Sequence, residues 1–332
     1  MNDILVVQNL STYYYSSKGE VAAADDVTFT LHRGEVLGIV GESGCGKSTV
    51  ARSIVGLYNK HQVHIPHGSV MFEGKDLLKL SKEELRKIRG KKISMIFQDP
   101  FGSLNPVYTV QNQLCEILRI HEGLHGKEAE NRALELLKLV GIPEPEQRLK
   151  CYPYQLSGGM QQRMMIAIAL ACNPDILLAD EPTTALDVTV QAQILDLIES
   201  LRKERSMSII IISHNMGIIA EMCNRMLVMY GGVIVEEGDC NTVFSNPLHP
   251  YTVGLLGAIP SLTEDKDTLD TIPGIVPVFH PPVTECRFAS RCPYASDRCR
   301  KAEPPLYEIE EGRKVRCWKY IPDVINEGSV PN

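Results

Sequence analysis

The sequence lacks the features that would assign it to a membrane interior or to a nucleic acid. Its longest unbroken apolar run, MMIAIALAC at residues 164–172, is nine residues long, whereas a membrane-spanning helix needs about 20. The opening MNDILVVQNL has neither a basic start nor a long apolar stretch, so we expect no secretory signal. The chain has 34 Lys and Arg against 41 Asp and Glu. Nucleic acid is therefore not an expected partner.

Aliphatic runs alternate with helical patterns over much of the chain. The runs EVLGIV (35–40), KKISMIFQ (91–98), PDILLADEP (174–182) and MSIIIISHN (207–215) predict buried strands, which suit a parallel sheet covered by helices. KSTVARSIVGL (47–57), VQNQLCEILRI (110–120) and RALELLKLVGI (132–142) predict helices. No strand pattern separates the last two, which indicates a helical insert in an α/β domain. Frequent proline after residue 246 predicts an irregular appendage.

One glycine-rich segment indicates that the chain binds a nucleoside triphosphate. GESGCGKS (41–48) fills every fixed position of the G-x-x-x-x-G-K-[ST] pattern, after a predicted strand and before a predicted helix. Glycines let the backbone N–H groups point at phosphates, and the helix N-terminus adds positive potential. In this pattern Lys47 reaches the β- and γ-phosphates, and the Ser48 hydroxyl binds Mg²⁺.

A pair of carboxylates follows another predicted strand. Asp180 ends the run ILLAD, and Glu181 comes next. Asp180 is predicted to hold Mg²⁺ through its water shell, and Glu181 to lie beside the attacking water. Such a pair is common in α/β proteins. Together with the phosphate-binding segment, however, it predicts a nucleoside triphosphatase.

The segment YQLSGGMQQR (154–163) narrows the class. Ser157 and the two glycines that follow it form a second anion-binding helix start. One γ-phosphate does not need two such sites from one chain, so the second is useful if it grips ATP bound to another subunit. With LSGGMQQR in the place of the signature motif, the chain resembles the ATP-binding subunits of ABC transporters.

This resemblance implies a set of site residues. Gln98 resembles the Q-loop glutamine, Asp187 in ALD (185–187) belongs to the D-loop, and His214 resembles the switch histidine that contacts the γ-phosphate. Tyr14 is expected to stack on adenine, with Tyr13 and Tyr15 as alternatives. The resemblance further implies roles for the following residues: catalysis by Lys47, Gln98, Glu181 and His214; ATP binding by Gly41, Ser43, Gly44, Cys45, Gly46, Lys47, Ser48 and Thr49; Mg²⁺ binding by Ser48, Gln98 and Asp180; and contact in trans by Ser157, Gly158, Gly159 and Gln161.

Several stretches resemble the dipeptide, oligopeptide and nickel importer subfamily, among them FQDPFGSLNP, HPYTVGLLGAIPSL and IPGIVP. The fold expected is a P-loop ATPase with a mostly parallel sheet, an antiparallel β region and a helical insert. The expected domains are a RecA-like core (1–106 and 164–245), a helical subdomain (107–163) and a C-terminal extension (246–332). Small departures from the family pattern occur at Tyr154, Asn215 and Glu285.

The resemblance also implies partners and a location. We expect a second ABC ATPase subunit (a related paralogue, or a second copy), two membrane permease subunits and an extracytoplasmic solute-binding protein, at the cytoplasmic face of the membrane. The function implied is ATP-driven import of dipeptides or oligopeptides. A nickel or other small-solute importer and a non-transport ABC ATPase are the alternatives. Only 108 residues separate Ser48 from Ser157, too few for the long coiled coil of DNA-repair relatives.

The C-terminal part of the chain contains four cysteines in a C-x5-C-x6-C-x17-C pattern: Cys286, Cys292, Cys299 and Cys317. Zinc sites usually begin with cysteines two to four residues apart, whereas four thiolates can also hold a [4Fe–4S] cluster. Nine Lys and Arg against six Asp and Glu lie in 284–319. Arg287, Arg291 and Arg298 are expected to favour the anionic ligands. The resemblance points to the same cluster, in a structural role. Zinc, or four unliganded cysteines, are the alternatives.

Overall fold

The computed structural model describes residues 2–17, 19–183, 186–258 and 272–322. Within them the strands are β1 (Asp3–Ser16), β2 (Gly19–His32), β3 (Val36–Val40), β4 (Val63–His64), β5 (Ser69–Phe72), β6 (Lys75–Asp76), β7 (Ile93–Ile96), β8 (Ile176–Asp180), β9 (Ser208–Ser213), β10 (Arg225–Tyr230), β11 (Val233–Asp239), β12 (Tyr307–Glu310) and β13 (Arg313–Val315). The α-helices are α1 (Lys47–Ile54), α2 (Lys82–Ile88), α3 (Pro100–Ser103), α4 (Val110–Glu122), α5 (Gly126–Leu139), α6 (Pro145–Arg148), α7 (Gly158–Leu170), α8 (Val188–Arg205), α9 (Met216–Met222), α10 (Cys240–Ser245), α11 (Pro250–Gly257) and α12 (Asp297–Lys301).

The described chain forms two compact units, each assembled from separate segments. The first contains Met1–Leu5, Leu31–Val36 and Phe72–Ile212, and the second contains Val6–Thr30, Leu37–Met71 and Ser213–Asn332. These units do not follow the predicted domain boundaries, which stay predictions. The predicted strands and helices themselves are confirmed at β3, β7, β8, β9, α1, α4 and α5.

The first unit contains a parallel sheet in the order β7, β8, β9. Ile93 pairs with Ile176, which in turn pairs with Ser208. Every residue of the three strands is buried, as expected for aliphatic strands covered on both faces. Because the strands are parallel, the polar residues that follow β7 and β8 lie at the same edge of the sheet.

Helices α4, α5 and α7 pack together in the first unit. Their buried residues recur at helical spacing, with Val110, Leu114 and Leu118 in α4 and Ala129, Ala133, Leu136 and Leu137 in α5. Thr109 caps α4, and its hydroxyl accepts a hydrogen bond from the Asn112 N–H at 3.2 Å. No strand lies between residues 97 and 175 of the described chain, so the helical insert is confirmed.

The second unit contains a mixed sheet in the order β3, β10, β11, β13, β12. β3 is parallel to β10, whereas the other neighbours are antiparallel. A second sheet places β1 between β2 and β5, with β4 antiparallel to the end of β1.

The C-terminal extension is more regular than its proline content predicted. The hairpin of β12 and β13 continues the mixed sheet of the second unit, with Glu236 of β11 opposite Val315. An aromatic core joins the extension to β10: the ring centroids of Tyr230 and Phe288 are 5.1 Å apart, and those of Tyr230 and Tyr251 are 4.7 Å apart. Proline-rich segments form the connections, while strand pairing and aromatic burial supply the stability.

No helix in the described residues is long and apolar enough to cross a membrane.

The helical insert should depend on its buried leucines. Leu114 is fully buried, so Leu114→Ala is expected to lower the free energy of unfolding by about 2–5 kcal/mol through lost transfer energy and a residual cavity. Glu116→Ala, at an exposed position of the same helix, is the control and should change it by less than about 0.5 kcal/mol. Chemical denaturation measures both. Equal effects would contradict this packing.

Candidate nucleotide-binding site

The phosphate-binding segment of the second unit has a backbone that only glycine can supply at two positions. β3 leads into Gly41, and Gly46 precedes α1 with a φ of +105°. A Cβ on Gly41 would overlap the Met229 carbonyl oxygen, and one on Gly46 would overlap the Ala23 carbonyl oxygen. The loop is therefore pressed against neighbouring backbone, and this close approach fixes the direction of its N–H groups.

Lys47 is held inside the same loop. Its Nζ donates to the carbonyl oxygens of Gly41 at 2.7 Å and Glu42 at 3.0 Å, and the residue is 5% exposed. The side chain thus bends back over the loop toward the space that phosphates occupy in this motif. Ser48 and Thr49 are half-buried, whereas Ser43 and Gly44 are exposed.

Cys45 lies within the loop as a packing residue. Its side chain is fully buried, and burial raises the pKa of its thiol. The Gly232 N–H donates to the Cys45 carbonyl oxygen at 3.0 Å. The Cys45 N–H donates to the Glu42 carbonyl oxygen at 3.3 Å, so both backbone groups of this residue bond within the protein, and its contribution to ATP binding stays a prediction.

The three tyrosines of β1 have different surroundings. Tyr13 is buried, and its hydroxyl donates to Asp25 at 2.7 Å; burial and this contact raise the pKa of Tyr13 to about 12. The Tyr15 ring stacks on His64 at 5.0 Å. Side chains alternate along a strand, so Tyr14 lies on the opposite face and is half-buried. Tyr14 stays the predicted adenine-stacking residue.

Glu181, the second of the two acidic residues after β8, contacts Gln98 in the first unit. Asp180 is fully buried at the end of β8. Glu181 has a φ of +48°, a conformation that is unfavourable for a residue with a side chain. Its N–H donates to the Ile212 carbonyl oxygen at 2.9 Å, and its Oε2 accepts from Gln98 Nε2 at 2.9 Å. The structure thus brings Gln98 and Glu181 together, while their roles in catalysis stay predictions.

The signature segment presents a helix N-terminus at the surface of the first unit. Ser157 caps α7, and its Oγ accepts from the Met160 N–H at 3.4 Å. Ser157 is exposed, and a Cβ on Gly158 would meet nothing within 4 Å. The amides of this turn are therefore accessible to an anion.

The glutamines of that motif are turned inward. Gln161, predicted to act in trans, is 3% exposed, and its amide donates to the carbonyl oxygens of Pro153 and Leu156 at 2.9 and 3.2 Å. Gln162 is also buried and donates to the Pro182 carbonyl oxygen. Gln161 therefore supports the loop before α7, and Gln162 ties α7 to the turn after Glu181. Sequence reasoning gave no role to Gln162, because only the fold brings Pro182 to it.

Two further predicted residues lie at helix starts. Asp187 caps α8 and accepts from the Val190 N–H at 2.9 Å; Ala185 of the same motif lies outside the described residues. His214 is exposed directly after β9. Asn215, which departs from the family pattern, caps α9 by accepting from the Gly217 N–H at 2.9 Å. An aspartate would cap equally well, so the departure leaves the local fold intact.

Comparison with known proteins decides the family. The model of the ABC transporter family matches residues 24–184, and that of the oligopeptide/dipeptide transporter C-terminal region matches residues 235–299. The dipeptide transport ATP-binding protein DppD of Haemophilus influenzae is 49% identical over 95% of this chain and 94% of its own length. The chain belongs to the ATP-binding subunits of the ABC transporter family.

Two further relatives agree with this assignment. The oligopeptide transport ATP-binding protein AppD of Bacillus subtilis is 47% identical, with 96% of this chain and 98% of that protein covered. Among solved structures, the dimeric ATP-binding cassette MJ0796 bound to ADP and phosphate is 31% identical and has a TM-score of 0.65. It covers 71% of this chain and 99% of its own.

In this ABC subunit the four C-terminal cysteines line one cavity of about 430 Å³. Burial raises the pKa of Cys286 to about 12 and also raises the pKa values of Cys292 and Cys317. Among the residues that the structure describes, no three His, Cys, Asp or Glu side chains are arranged to hold a single metal ion. The thiols therefore share a cavity but are not gathered around one point.

Two of the three arginines that were expected to favour anionic thiolates pair with carboxylates instead. Arg287 donates to Glu303 at 2.8 Å and to Asp25, and Arg291 donates to Glu42. Only Arg298 of the three lines the cavity, where its guanidinium lies 4.0 Å from the centroid of the Trp318 ring. The expectation was wrong for Arg287 and Arg291 because carboxylates distant in sequence attract them more strongly than neutral thiols.

The free energy of unfolding should fall at acid pH because one buried histidine at this cavity, His249, binds a proton more readily in the unfolded chain. His249 lines the cavity and caps α11, and burial lowers its pKa to about 3. The unfolded chain binds this proton near pH 6.5, so the contribution is lost as the pH falls from about 6.5 toward 3. His249→Asn keeps a capping oxygen for the Tyr251 N–H. Chemical denaturation at pH 7 and pH 5 should show that the free energy of unfolding decreases less for His249→Asn than for the wild type. Equal decreases would contradict this role of His249.

Proposed function

We propose that this chain binds ATP with Mg²⁺, hydrolyses it and thereby drives import of dipeptides or oligopeptides through a membrane ABC transporter. The observation that carries the proposal is the match of 44–50% identity over nearly the whole chain, including the C-terminal extension, to dipeptide, oligopeptide and peptide transport ATP-binding proteins. Those relatives favour a peptide cargo over nickel. The complete set of nucleotide motifs favours an active ATPase over a vestigial one.

The nucleotide would be bound mainly by backbone groups and by Lys47. The glycine-fixed loop directs N–H groups toward the phosphates, and Lys47 exchanges its carbonyl partners for the β- and γ-phosphates. Ser48, Gln98 and Asp180 offer the oxygen ligands that Mg²⁺ prefers. When bound, Mg²⁺ supplies neutralisation of phosphate charge. Tyr14 would stack on adenine.

Hydrolysis would depend on Glu181 and its neighbours. Gln98 already donates to Glu181, so the carboxylate is oriented before substrate arrives. In this position it accepts a proton from, or orients, the attacking water, and His214 contacts the γ-phosphate. The exposed turn at Ser157 and Gly158 would grip the ATP of a second subunit, with Gly159 and Gln161 supporting that turn and Asp187 at the interface. Separation of the two cassettes would follow hydrolysis because the bridging γ-phosphate is lost.

The assembly proposed has a second ABC ATPase, either a paralogue or another copy, two permease subunits and an extracytoplasmic solute-binding protein. The chain would lie at the cytoplasmic face of the membrane as a peripheral subunit. Motion would pass to the permeases through the Gln98 segment and the helical subdomain.

Glu181→Gln tests the catalytic assignment. The variant should bind ATP with unchanged affinity and lose turnover by at least about 100-fold, because an amide cannot accept the proton. Glu144→Gln is a matched control, since Glu144 also has a positive φ, +51°, but lies next to α6 of the helical subdomain. Steady-state hydrolysis and ATP titration measure the two effects. Turnover of Glu181→Gln at the wild-type rate would assign the base elsewhere.

We also propose that Cys286, Cys292, Cys299 and Cys317 hold a [4Fe–4S] cluster. Support comes from the four cysteines that line one cavity of about 430 Å³. A cluster of four irons and four sulfides takes four cysteine ligands and fills a larger space than a single zinc ion with Zn–S bonds of about 2.3 Å. Its role would be structural: it would cross-link the segments of the extension that carry the four cysteines. Binding must displace protons from the buried thiols.

Anaerobic purification tests the cluster. The wild-type chain should contain about four irons and four sulfides and absorb near 400 nm, and Cys292→Ser should lose most of both. Cys172→Ser, at a buried cysteine outside the cavity, is the control and should retain them. One zinc per chain without iron would replace this proposal with the zinc alternative.

A further inference from the structure

The phosphate-binding loop is held by a side chain of the C-terminal extension. Glu42, the second residue of the loop, faces Arg291, and both carboxylate oxygens are engaged: Arg291 Nη1 lies 2.7 Å from Oε2, and Nη2 lies 3.0 Å from Oε1. Such two-pronged, charge-assisted contacts are among the stronger polar interactions in proteins. The two residues are 249 positions apart in the sequence.

Arg291 is fixed more firmly than a surface arginine. Its side chain is 4% exposed, against 31% for Glu42. Its Nε donates to the Pro273 carbonyl oxygen at 2.9 Å, and its guanidinium lies 5.7 Å from the centroid of the Tyr230 ring. The same guanidinium also faces the carbonyl oxygens of Ile272 and Gly274 and the Tyr230 hydroxyl. A buried charge so completely satisfied behaves as a rigid support.

A second contact from the extension holds the backbone of the same loop residue. The Glu42 N–H donates to the Tyr251 hydroxyl oxygen at 2.7 Å. Tyr251 is fully buried and packs on Tyr230 and Phe288. Side chain and backbone of Glu42 are thus both anchored to the extension, so the residue cannot turn without breaking one of these contacts.

The position of Glu42 affects the groups that would meet phosphate. Its carbonyl oxygen, with that of Gly41, accepts from Lys47 Nζ, and its neighbours in the loop include glycines with positive φ at positions 41, 44 and 46. Glycine-rich backbone has many alternative conformations. If only a fraction of the molecules holds the binding conformation, the apparent affinity falls by that fraction.

We propose that Arg291 is a positioning residue that holds the phosphate-binding loop in its ATP-binding conformation through Glu42, so that the C-terminal extension sets the affinity for ATP. This inference rests on the proposed function, since it takes the loop to be the site of ATP. It assigns the extension a part in nucleotide binding that is separate from any metal it holds.

The test is ATP titration of the full-length chain with a fluorescent ATP analogue in the presence of Mg²⁺. Arg291→Gln and Glu42→Gln are each expected to raise the Kd about tenfold, the size of one lost charge-assisted contact. The double variant should have about the same Kd as each single variant, because the two residues act as one unit. Arg291→Lys, which restores one charged hydrogen bond, should recover part of the loss.

Arg316→Gln is the matched control for lost structure. Arg316 is also a buried arginine of the extension, but it donates to the carbonyl oxygens of Ile234 and Pro304 and makes no contact with the loop in the described residues. The Arg316→Gln substitution should lower the melting temperature and leave the Kd for ATP unchanged. If Arg291→Gln fails to fold, Glu42→Gln carries the test, because it leaves Arg291 with its carbonyl acceptors.

The outcomes separate this inference from the function on which it rests. A wild-type chain that binds no ATP would overturn the proposed function. A wild-type chain that binds ATP, with Glu42→Gln and Arg291→Gln within about twofold of it, would overturn only the positioning role. That role would also be overturned if Arg316→Gln raised the Kd equally, or if the double variant showed the product of the two single effects.

Discussion

The conformation of the phosphate-binding loop depends on glycine at two positions where its backbone lies directly against the backbone of neighbouring strands. Gly41 lies against the Met229 carbonyl and Gly46 against the Ala23 carbonyl, so β10 and β2 form the walls against which the loop is shaped. This requirement constrains the elements next to the loop. β3 must be buried and rigid to deliver the loop, α1 must begin directly after it, and the glycine-rich backbone needs supports that its own residues cannot provide.

Those supports come from the C-terminal extension. The extension shares an aromatic core with the end of β10 and places Arg291 and Tyr251 on the loop. One short segment of the extension therefore contributes both to the cysteine cavity and to the contacts that hold the nucleotide loop. The segment 286–292 contributes cysteines to the cavity on one side and arginines to Asp25 and Glu42 on the other. Changes in the cavity are therefore close in sequence to the residues that hold the nucleotide loop.

In the first unit, the neighbouring residues hold Glu181, whose backbone is strained. Glu181 has an unfavourable backbone conformation, and it persists because neighbours constrain it on several sides. The Ile212 carbonyl oxygen accepts its N–H, Gln98 contacts its side chain, and Gln162 donates to the next residue, Pro182. The signature helix is thereby connected to the acidic turn, so a movement of α7 would be felt at the proposed catalytic base.

The sequence alone was sufficient for the fold class, the strands β3, β7, β8 and β9, the helical insert and the nucleotide motifs, because each is encoded by local residue patterns or by short fixed spacings. It could not predict the contacts of Arg291, Gln162 or Tyr251, which join residues far apart in the chain. Charge composition even assigned Arg287 and Arg291 to the thiols. Only the tertiary structure decided otherwise, because a buried guanidinium goes to whichever carboxylate the fold brings within hydrogen-bonding distance.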